Sequence, residues 1–129
     1  MDFYEKIKES ADYISKSFGH KSFEIGVILG TGLKEFAVAL SGNSISYNEI
    51  PNFPQPTIGS KSEGKITHTQ IADKQVLFFF ERLHLYQGFK SQEIGYQVRI
   101  MKELGIKILI MINSAATLTE SINPGDIMI

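Results

Sequence analysis

The chain has 129 residues, which is the size of one soluble domain. Its formal net charge is -1, and a charge this close to zero gives no reason to expect nucleic acid or an anionic membrane surface as a partner. It has no cysteine, which excludes disulfides and thiolate metal sites and leads us to expect a reducing cytoplasm. No apolar run is long enough to span a bilayer, and the N-terminus lacks the apolar core of a signal peptide.

The first part of the chain predicts a helix, a strand and a second helix. Apolar residues at helical spacing predict an amphipathic helix from Phe3 to Phe18, which Gly19 would end in a left-handed cap. The segment EIGVIL predicts a short buried strand that ends at Leu29. The turn GTG and the helix-compatible segment LKEFAVAL follow it.

The middle of the chain predicts an irregular loop and then two strands. Residues 52–64 contain two prolines, which cannot donate to a sheet ladder, together with glycines and small polar side chains. In KITHTQIADKQVLFFF the alternation predicts an exposed strand, ADK predicts a turn, and QVLFFF predicts a buried strand. His68 lies on the exposed strand, and we interpret it as structural.

The last part predicts a helix and the clearest strand of the chain. Ser91 suits the N-cap of a helix running to about residue 104. Its expected inner stripe is Ile94, Val98, Met101 and Leu104. The apolar run IKILIMI is typical of a strand covered on both faces, and a further strand is predicted to begin at IMI. Together the elements predict an α/β fold with a mainly parallel sheet, and residues 1–129 are expected to be the N-terminal part of a larger domain.

Three apolar strands end in glycine or polar residues. Leu29 precedes Gly30-Thr31-Gly32, Phe80 precedes Glu81 and Arg82, and Ile112 precedes Asn113 and Ser114. In open α/β sheets ligands bind beyond the carboxyl ends of the strands, so we expect one shared site. A glycine turn that opens a helix suits an anion, although this turn is neither GxGxxG nor a Walker loop and a plain tight turn is the alternative.

The segment FFFERLHLYQGF carries the most informative polar groups. If its strand continues past Phe80, then Arg82, His84 and Tyr86 share one face while the two leucines between them pack on the other. Arginine suits phosphate, histidine exchanges protons near neutral pH, and tyrosine can cover and hydrogen-bond a sugar. The alternative is an exposed edge with a surface arginine, but an arginine at the mouth of a phenylalanine-rich strand favours an anionic ligand.

Other polar residues leave their roles open. Asn113 fits a ligand site or a simple turn, and Lys61 and Lys65 fit either solvated positions or a mobile basic loop that closes over phosphate. The three histidines lack the spacing of metal ligands, so no metal site is expected.

The segments VILGTGL, IPNFPQPTI, ERLHLYQGF and NSAATLTESINPGDIMI, in this order, resemble the N-terminal half of the trimeric purine nucleoside phosphorylases, from about Glu24 to Ile129. The resemblance implies the nucleoside phosphorylase α/β fold and a homotrimer. It also implies that phosphate converts purine (deoxy)ribonucleosides to free base and pentose 1-phosphate, with neither metal nor organic cofactor. Rival interpretations are a methylthioadenosine phosphorylase and a non-catalytic phosphate- or nucleoside-binding remnant.

The resemblance also implies residue roles, carried over by position. Catalytic roles fall on His84 and Asn113; phosphate contacts on Thr31, Gly32, Lys61, Arg82, His84 and Ser114; a ribose contact on Tyr86; and base contacts on Ala115 and Ala116. Thr31 replaces the family's serine, Lys61 stands nearest the place of a loop histidine, and Ala116 and Thr117 replace two glycines. The family's purine-reading glutamate and asparagine lie beyond the half that this chain resembles.

Overall fold

The structure, a computed structural model, describes residues 1–30, 32–59 and 63–129, apart from the side chains of Lys34, Ala37 and Val38. The helices are α1 (Phe3–Phe18), α2 (Lys34–Ala39), α3 (Ser91–Ile94) and α4 (Tyr96–Glu103). The strands are β1 (Ile25–Leu29), β2 (Asn43–Ser46), β3 (Lys65–Ile71), β4 (Lys74–Phe80) and β5 (Ile108–Met111). Within this described part, none of the helices combines the length and the hydrophobicity needed to cross a membrane.

The strands form one mixed sheet in the order β2-β3-β4-β1-β5. The predicted α/β class is therefore confirmed. β1 pairs in parallel with both β4 and β5, whereas β3 pairs antiparallel with β2 and β4. In the parallel register Leu29 lies opposite Phe80, and Ile28 lies opposite Met111. The carboxyl ends of β1, β4 and β5 consequently meet at one edge of the sheet.

The first helix begins and ends as its sequence predicts. Asp2 caps α1 by accepting a hydrogen bond from the Glu5 backbone N–H at 2.8 Å, and the Glu5 carboxylate accepts one from the Asp2 backbone N–H at 2.7 Å. Gly19 ends the helix with φ 71°, a backbone conformation that favours glycine. The apolar stripe of α1 is buried along its length from Ile7 to Phe18.

The two faces of the sheet are covered differently. α1 and α4 pack over one face and enclose the larger core, in which Ile14, Phe79 and Ile100 are fully buried. The other face carries a smaller cluster around Val27 and Phe78, and the ring of Phe36 on α2 meets the ring of Phe78 edge-on at 5.9 Å. An open apolar cavity of about 470 Å³ remains on this second face.

Four sequence predictions are corrected here. The helix expected over residues 91–104 is broken at Gly95, and Val98, expected on its inner stripe, is 41% exposed because Tyr96, Gln97 and Ile100 take the buried positions. β5, expected to be covered on both faces, is exposed, and among the described residues it is an edge strand that pairs with β1 alone. Residues 127–129 form no strand.

Candidate anion-binding site

The candidate site lies where the carboxyl ends of β1, β4 and β5 meet, with Gly30 at its centre. A Cβ atom on Gly30 would lie 3.2 Å from Arg82 Nη2, 3.4 Å from Asn113 Cα and 2.8 Å from the carbonyl oxygen of Ile112. The predicted convergence of these three strand ends is therefore confirmed. A side chain at residue 30 would crowd the guanidinium and the Ile112 carbonyl oxygen.

Arg82 is the residue of the site whose charge and unpartnered N–H most favour an anionic ligand. Its Nε is buried and has no hydrogen-bond partner in the part of the chain that the structure describes. A buried polar group without a partner costs free energy, and the cost is greater on a charged side chain. The planar guanidinium fork matches a phosphate or carboxylate, so an anion bound here would satisfy the orphaned N–H.

The route of the backbone into Arg82 differs from the predicted one. β4 ends at Phe80, and Glu81 adopts φ 83°, in the left-handed region that residues other than glycine rarely enter. The condition considered from the sequence, that the strand continues past Phe80, is therefore not met. The expected alternation of Arg82, His84 and Tyr86 on one face is lost with it, because the backbone turns at Glu81 and then enters a 3-10 turn at Leu85–Gln87.

His84 and Tyr86 nevertheless lie together. Their rings stack with centroids 4.9 Å apart and planes 13° apart. The His84 backbone N–H donates to the Gln87 side-chain oxygen at 3.1 Å. Leu83 is buried whereas Leu85 is 65% exposed, so the predicted inner pair of leucines is only half right. Tyr86 is 73% exposed, and the stacked pair offers an open aromatic surface that suits the apolar face of a sugar.

The proline-containing loop is held against this turn. The backbone N–H groups of Thr57 and Ile58 both donate to the carbonyl oxygen of Gln87, at 3.1 and 3.2 Å. The irregular loop predicted for residues 52–64 is confirmed over its described positions. Thr31 and Lys61, both expected at phosphate, lie outside the described residues, while Gly32 is exposed in a turn with φ 95°.

The segment after β5 joins the site only through Ile112 and Asn113. The Ile112 backbone N–H donates to the Ile28 carbonyl at 3.0 Å, which extends the pairing with β1 by one residue beyond β5. The Asn113 side-chain amide donates to the Ser114 carbonyl at 3.3 Å. Ser114, Ala115 and Ala116 are exposed and lack regular structure, so these predicted contacts are not enclosed by the described residues.

Sequence reasoning missed two residues near the site. Gly30 was expected in a turn suited to an anion, whereas its close approach to Arg82 and Asn113 depends on the strand register. Tyr47 and Gln97 were not singled out, yet both side chains hydrogen-bond the Glu81 carbonyl. No sequence pattern marks Gln97 as buried, because the inner face of its helix was inferred from apolar spacing.

The remaining histidines form a separate structural cluster. The His68 Nε2 lies 2.6 Å from the Gln75 side-chain oxygen, and its ring packs 4.6 Å from that of His20 and 5.4 Å from that of Phe18. The structural interpretation of His68 agrees with these contacts. Over residues 1–30, 32–59 and 63–129, no three His, Asp or Glu side chains are grouped so that they could hold a metal ion.

The fold and the site define an α/β protein with a candidate anion site at the carboxyl ends of parallel strands. A profile of the phosphorylase superfamily matches residues 24–129, and the chain belongs to that superfamily.

Curated and structural relatives agree on the same branch of the superfamily. Purine nucleoside phosphorylase 1 of Geobacillus stearothermophilus is 36% identical over 95% of this chain and 44% of its own length. The rat purine nucleoside phosphorylase is 29% identical over 98% of this chain and 43% of its own length. Isoform 2 of the Schistosoma mansoni enzyme, solved with cytosine and ribose-1-phosphate, matches with a TM-score of 0.82 and 31% identity over 95% of this chain and 43% of its own. The chain thus spans less than half the length of these relatives, and the resemblance to purine nucleoside phosphorylases is confirmed.

Proposed function

We propose that this chain carries the phosphate- and pentose-binding part of a purine nucleoside phosphorylase. In the proposed reaction a phosphate oxygen forms a bond to the anomeric carbon of a purine (deoxy)ribonucleoside. The bond from that carbon to the base breaks, and its electron pair leaves with the purine. The observation that carries the proposal is the buried, unpartnered Nε of Arg82 beside Gly30 and Asn113. Kinship with enzymes of this name, including one solved with ribose-1-phosphate, supports it.

Phosphate would be held by positioning and electrostatics. Arg82 supplies a fixed positive charge, and the absence of a side chain at Gly30 lets the backbone at the end of β1 approach the guanidinium closely. By the resemblance, Thr31, Gly32 and Ser114 add hydrogen-bond donors, and Lys61 adds a second cation from the loop. These groups would restrain phosphate while one of its oxygens stays free to attack the sugar.

The sugar and base would lie on the open side of this anion. The stacked rings of His84 and Tyr86 give the pentose an aromatic surface, and the His84 imidazole could carry a proton at the sugar or phosphate. Asn113 is proposed to act on the nucleoside, next to Ala115 and Ala116 on the base side. The proposed chemistry uses neither metal nor organic cofactor, and the homotrimer and the cytoplasmic location stay predictions.

The first test is phosphate binding measured by calorimetry. We expect Arg82→Ala to weaken phosphate binding by roughly 1.5–3 kcal/mol, the range for hydrogen bonds to charged groups. The matched control is Arg99→Ala, because Arg99 is exposed and its guanidinium lies over the ring of Phe3 at 5.4 Å. Equal affinities in wild type and Arg82→Ala would remove Arg82 from the site.

The second test is phosphate-dependent release of hypoxanthine from inosine. The chain is assayed alone and after mixing with a polypeptide equivalent to the unmatched part of the Geobacillus relative, since the resemblance places the purine-reading residues there. Release that needs phosphate and is lost in Arg82→Ala supports the proposal. Faster turnover of 5′-methylthioadenosine than of inosine would favour the rival phosphorylase. If the chain binds phosphate but turns over no nucleoside, either alone or after mixing, a non-catalytic binding remnant is favoured.

A further inference from the structure

A buried polar triangle lies directly before Arg82. The Gln97 Nε2 donates to the Glu81 carbonyl oxygen at 2.9 Å and to the Tyr47 hydroxyl at 2.9 Å. The Tyr47 hydroxyl in turn donates to the same Glu81 carbonyl at 3.1 Å. Both N–H groups of the glutamine amide and the tyrosine O–H are thereby used, and two side chains from distant parts of the chain meet on one backbone oxygen.

The triangle is rigidly supported. Tyr47 is fully buried, its ring stacks on that of Phe53 at 4.2 Å, and its backbone N–H donates to the Gly64 carbonyl at 2.9 Å. Gln97 is 2% exposed and projects from α4. Burial raises the pKa of Tyr47 well above its ordinary value, so the hydroxyl keeps the proton that it donates.

The backbone that the triangle holds is strained. Glu81 has φ 83°, a conformation that is unfavourable for a residue other than glycine and that persists only where the surroundings enforce it. If the Glu81 carbonyl lost its donors, the chain could relax towards the extended conformation of β4. Because side chains of an extended strand alternate between faces, such a change would turn Arg82 away from Gly30.

We propose that Tyr47 and Gln97 are positioning residues for Arg82. Their hydrogen bonds hold Glu81 in its left-handed conformation and thereby keep the guanidinium beside Gly30 and Asn113. The inference rests on the proposed function only in naming phosphate as the anion that the guanidinium meets.

Three variants test the triangle while preserving side-chain volume. Gln97→Met removes both amide donors, and Tyr47→Phe removes only the hydroxyl. The matched control is Tyr96→Phe on the same helix as Gln97, because Tyr96 is 1% exposed and its hydroxyl meets that of Ser10 at 2.9 Å rather than Glu81. All three lose a buried hydrogen bond, so a loss of stability alone does not separate them.

Two readouts are combined. The first is phosphate affinity by calorimetry, which we expect to fall about tenfold in Gln97→Met, equivalent to about 1.4 kcal/mol, and by a smaller factor in Tyr47→Phe. The second is hydrogen exchange of the arginine Nε–H groups by NMR without phosphate, with exposed Arg99 as the internal reference. In wild type we expect slow exchange at Arg82, with faster exchange in Gln97→Met and Tyr47→Phe but not in Tyr96→Phe.

The outcomes are distinguishable. Parallel losses of phosphate affinity and of Arg82 protection in the two triangle variants, absent from Tyr96→Phe, support the inference. If the wild-type chain does not bind phosphate but Arg82 loses its protection in Gln97→Met and Tyr47→Phe, the positioning role is supported and phosphate is rejected as the ligand. Slow exchange at Arg82 retained in a folded Tyr47→Phe and a folded Gln97→Met overturns the inference, whatever their stability.

Discussion

At the scale of single residues, Gly30 matters through the side chain that it lacks. In Gly30→Ala the new Cβ would lie 2.8 Å from the Ile112 carbonyl oxygen and 3.2 Å from Arg82 Nη2, so the end of β5 or the guanidinium has to move. We expect overpacking to lower the free energy of unfolding by roughly 1–3 kcal/mol and to weaken phosphate binding as well. Urea denaturation and calorimetry measure the two effects.

The control for this change is Gly95→Ala, where the new Cβ meets nothing closer than 3.8 Å. Phosphate affinity should be unchanged there. Wild-type affinity in Gly30→Ala would show that the guanidinium does not depend on the space beside residue 30.

The buried hydroxyl of Tyr47 predicts a dependence of stability on alkaline pH. Burial raises its pKa well above the ordinary value of 10.0, against a smaller opposing effect of the Gln97 hydrogen bond. In the unfolded chain the hydroxyl ionises first, so its contribution to stability is complete below pH 10 and is lost as the pH rises towards the folded-state pKa. The free energy of unfolding should then fall by up to about 1.4 kcal/mol per pH unit for this one group.

Tyr47→Phe should therefore show a shallower alkaline decline than wild type in urea denaturation between pH 9 and pH 11. Burial also raises the pKa of Tyr96, so part of the decline should persist in this variant. Tyr4→Phe, at a residue that is 59% exposed, is the control and should follow wild type. If the free energy of unfolding of Tyr47→Phe falls with alkaline pH as steeply as that of wild type, the decline does not come from ionisation of the Tyr47 hydroxyl.

The residues of the site were predictable to different degrees. Arg82 could be found from the sequence because a charged residue that closely follows a strongly apolar strand favours an anionic ligand. Gln97 could not, because the inner face of its helix was inferred from apolar spacing and a buried amide breaks that pattern. The left-handed conformation of Glu81 has no compositional signal, since it is imposed by hydrogen bonds from residues far away in the sequence.

At the scale of secondary-structure elements, Gly95 separates two helices that the sequence predicts as one. Its backbone angles, φ -74° and ψ -1°, are open to any L-residue, and a Cβ there makes only ordinary contacts. Gly95→Ala should raise the free energy of unfolding by about 0.4–1 kcal/mol, chiefly by restricting the unfolded chain. Urea denaturation measures the change.

Gly19→Ala is the opposite case at the end of α1. A Cβ at Gly19 meets no atom within 4 Å, but φ is 71°, so any penalty is conformational rather than steric. We expect a loss of about 1 kcal/mol in this variant. Equal effects of the two substitutions would show that backbone conformation does not decide the outcome at these glycines.

The elements were predictable where one physical requirement dominated. α1 followed from its long apolar stripe and its glycine cap, and the turn between β3 and β4 followed from a polar break between two strands. Val98 was misplaced because successive apolar residues fit more than one helical face, and packing against α1 selects Tyr96, Ile100 and Met101. β5 was predicted to be covered because its apolar composition is typical of a strand buried on both faces. Its exposure in the structure depends on its place in the sheet, which the composition does not reveal.

At the scale of the whole molecule, β5 leaves the sheet with an apolar edge. Its four residues are each between 39% and 55% exposed, and no second strand pairs with its outer side in the described residues. Ile110 lies opposite Val27 and, with Ile112, helps to line the open cavity on the face of α2. Exposed apolar edge strands of this kind pair readily with other chains.

We therefore expect the chain to self-associate in a concentration-dependent way, and Ile110→Lys to weaken this association because a lysine on an edge strand opposes edge-to-edge pairing. Sedimentation velocity over a range of concentrations measures the effect. Ile58→Lys is the matched control, because Ile58 is 63% exposed but lies in the proline-containing loop and not on β5. If Ile58→Lys and Ile110→Lys reduce association equally, the effect comes from net charge and not from the edge. If neither changes it, association uses a surface other than β5.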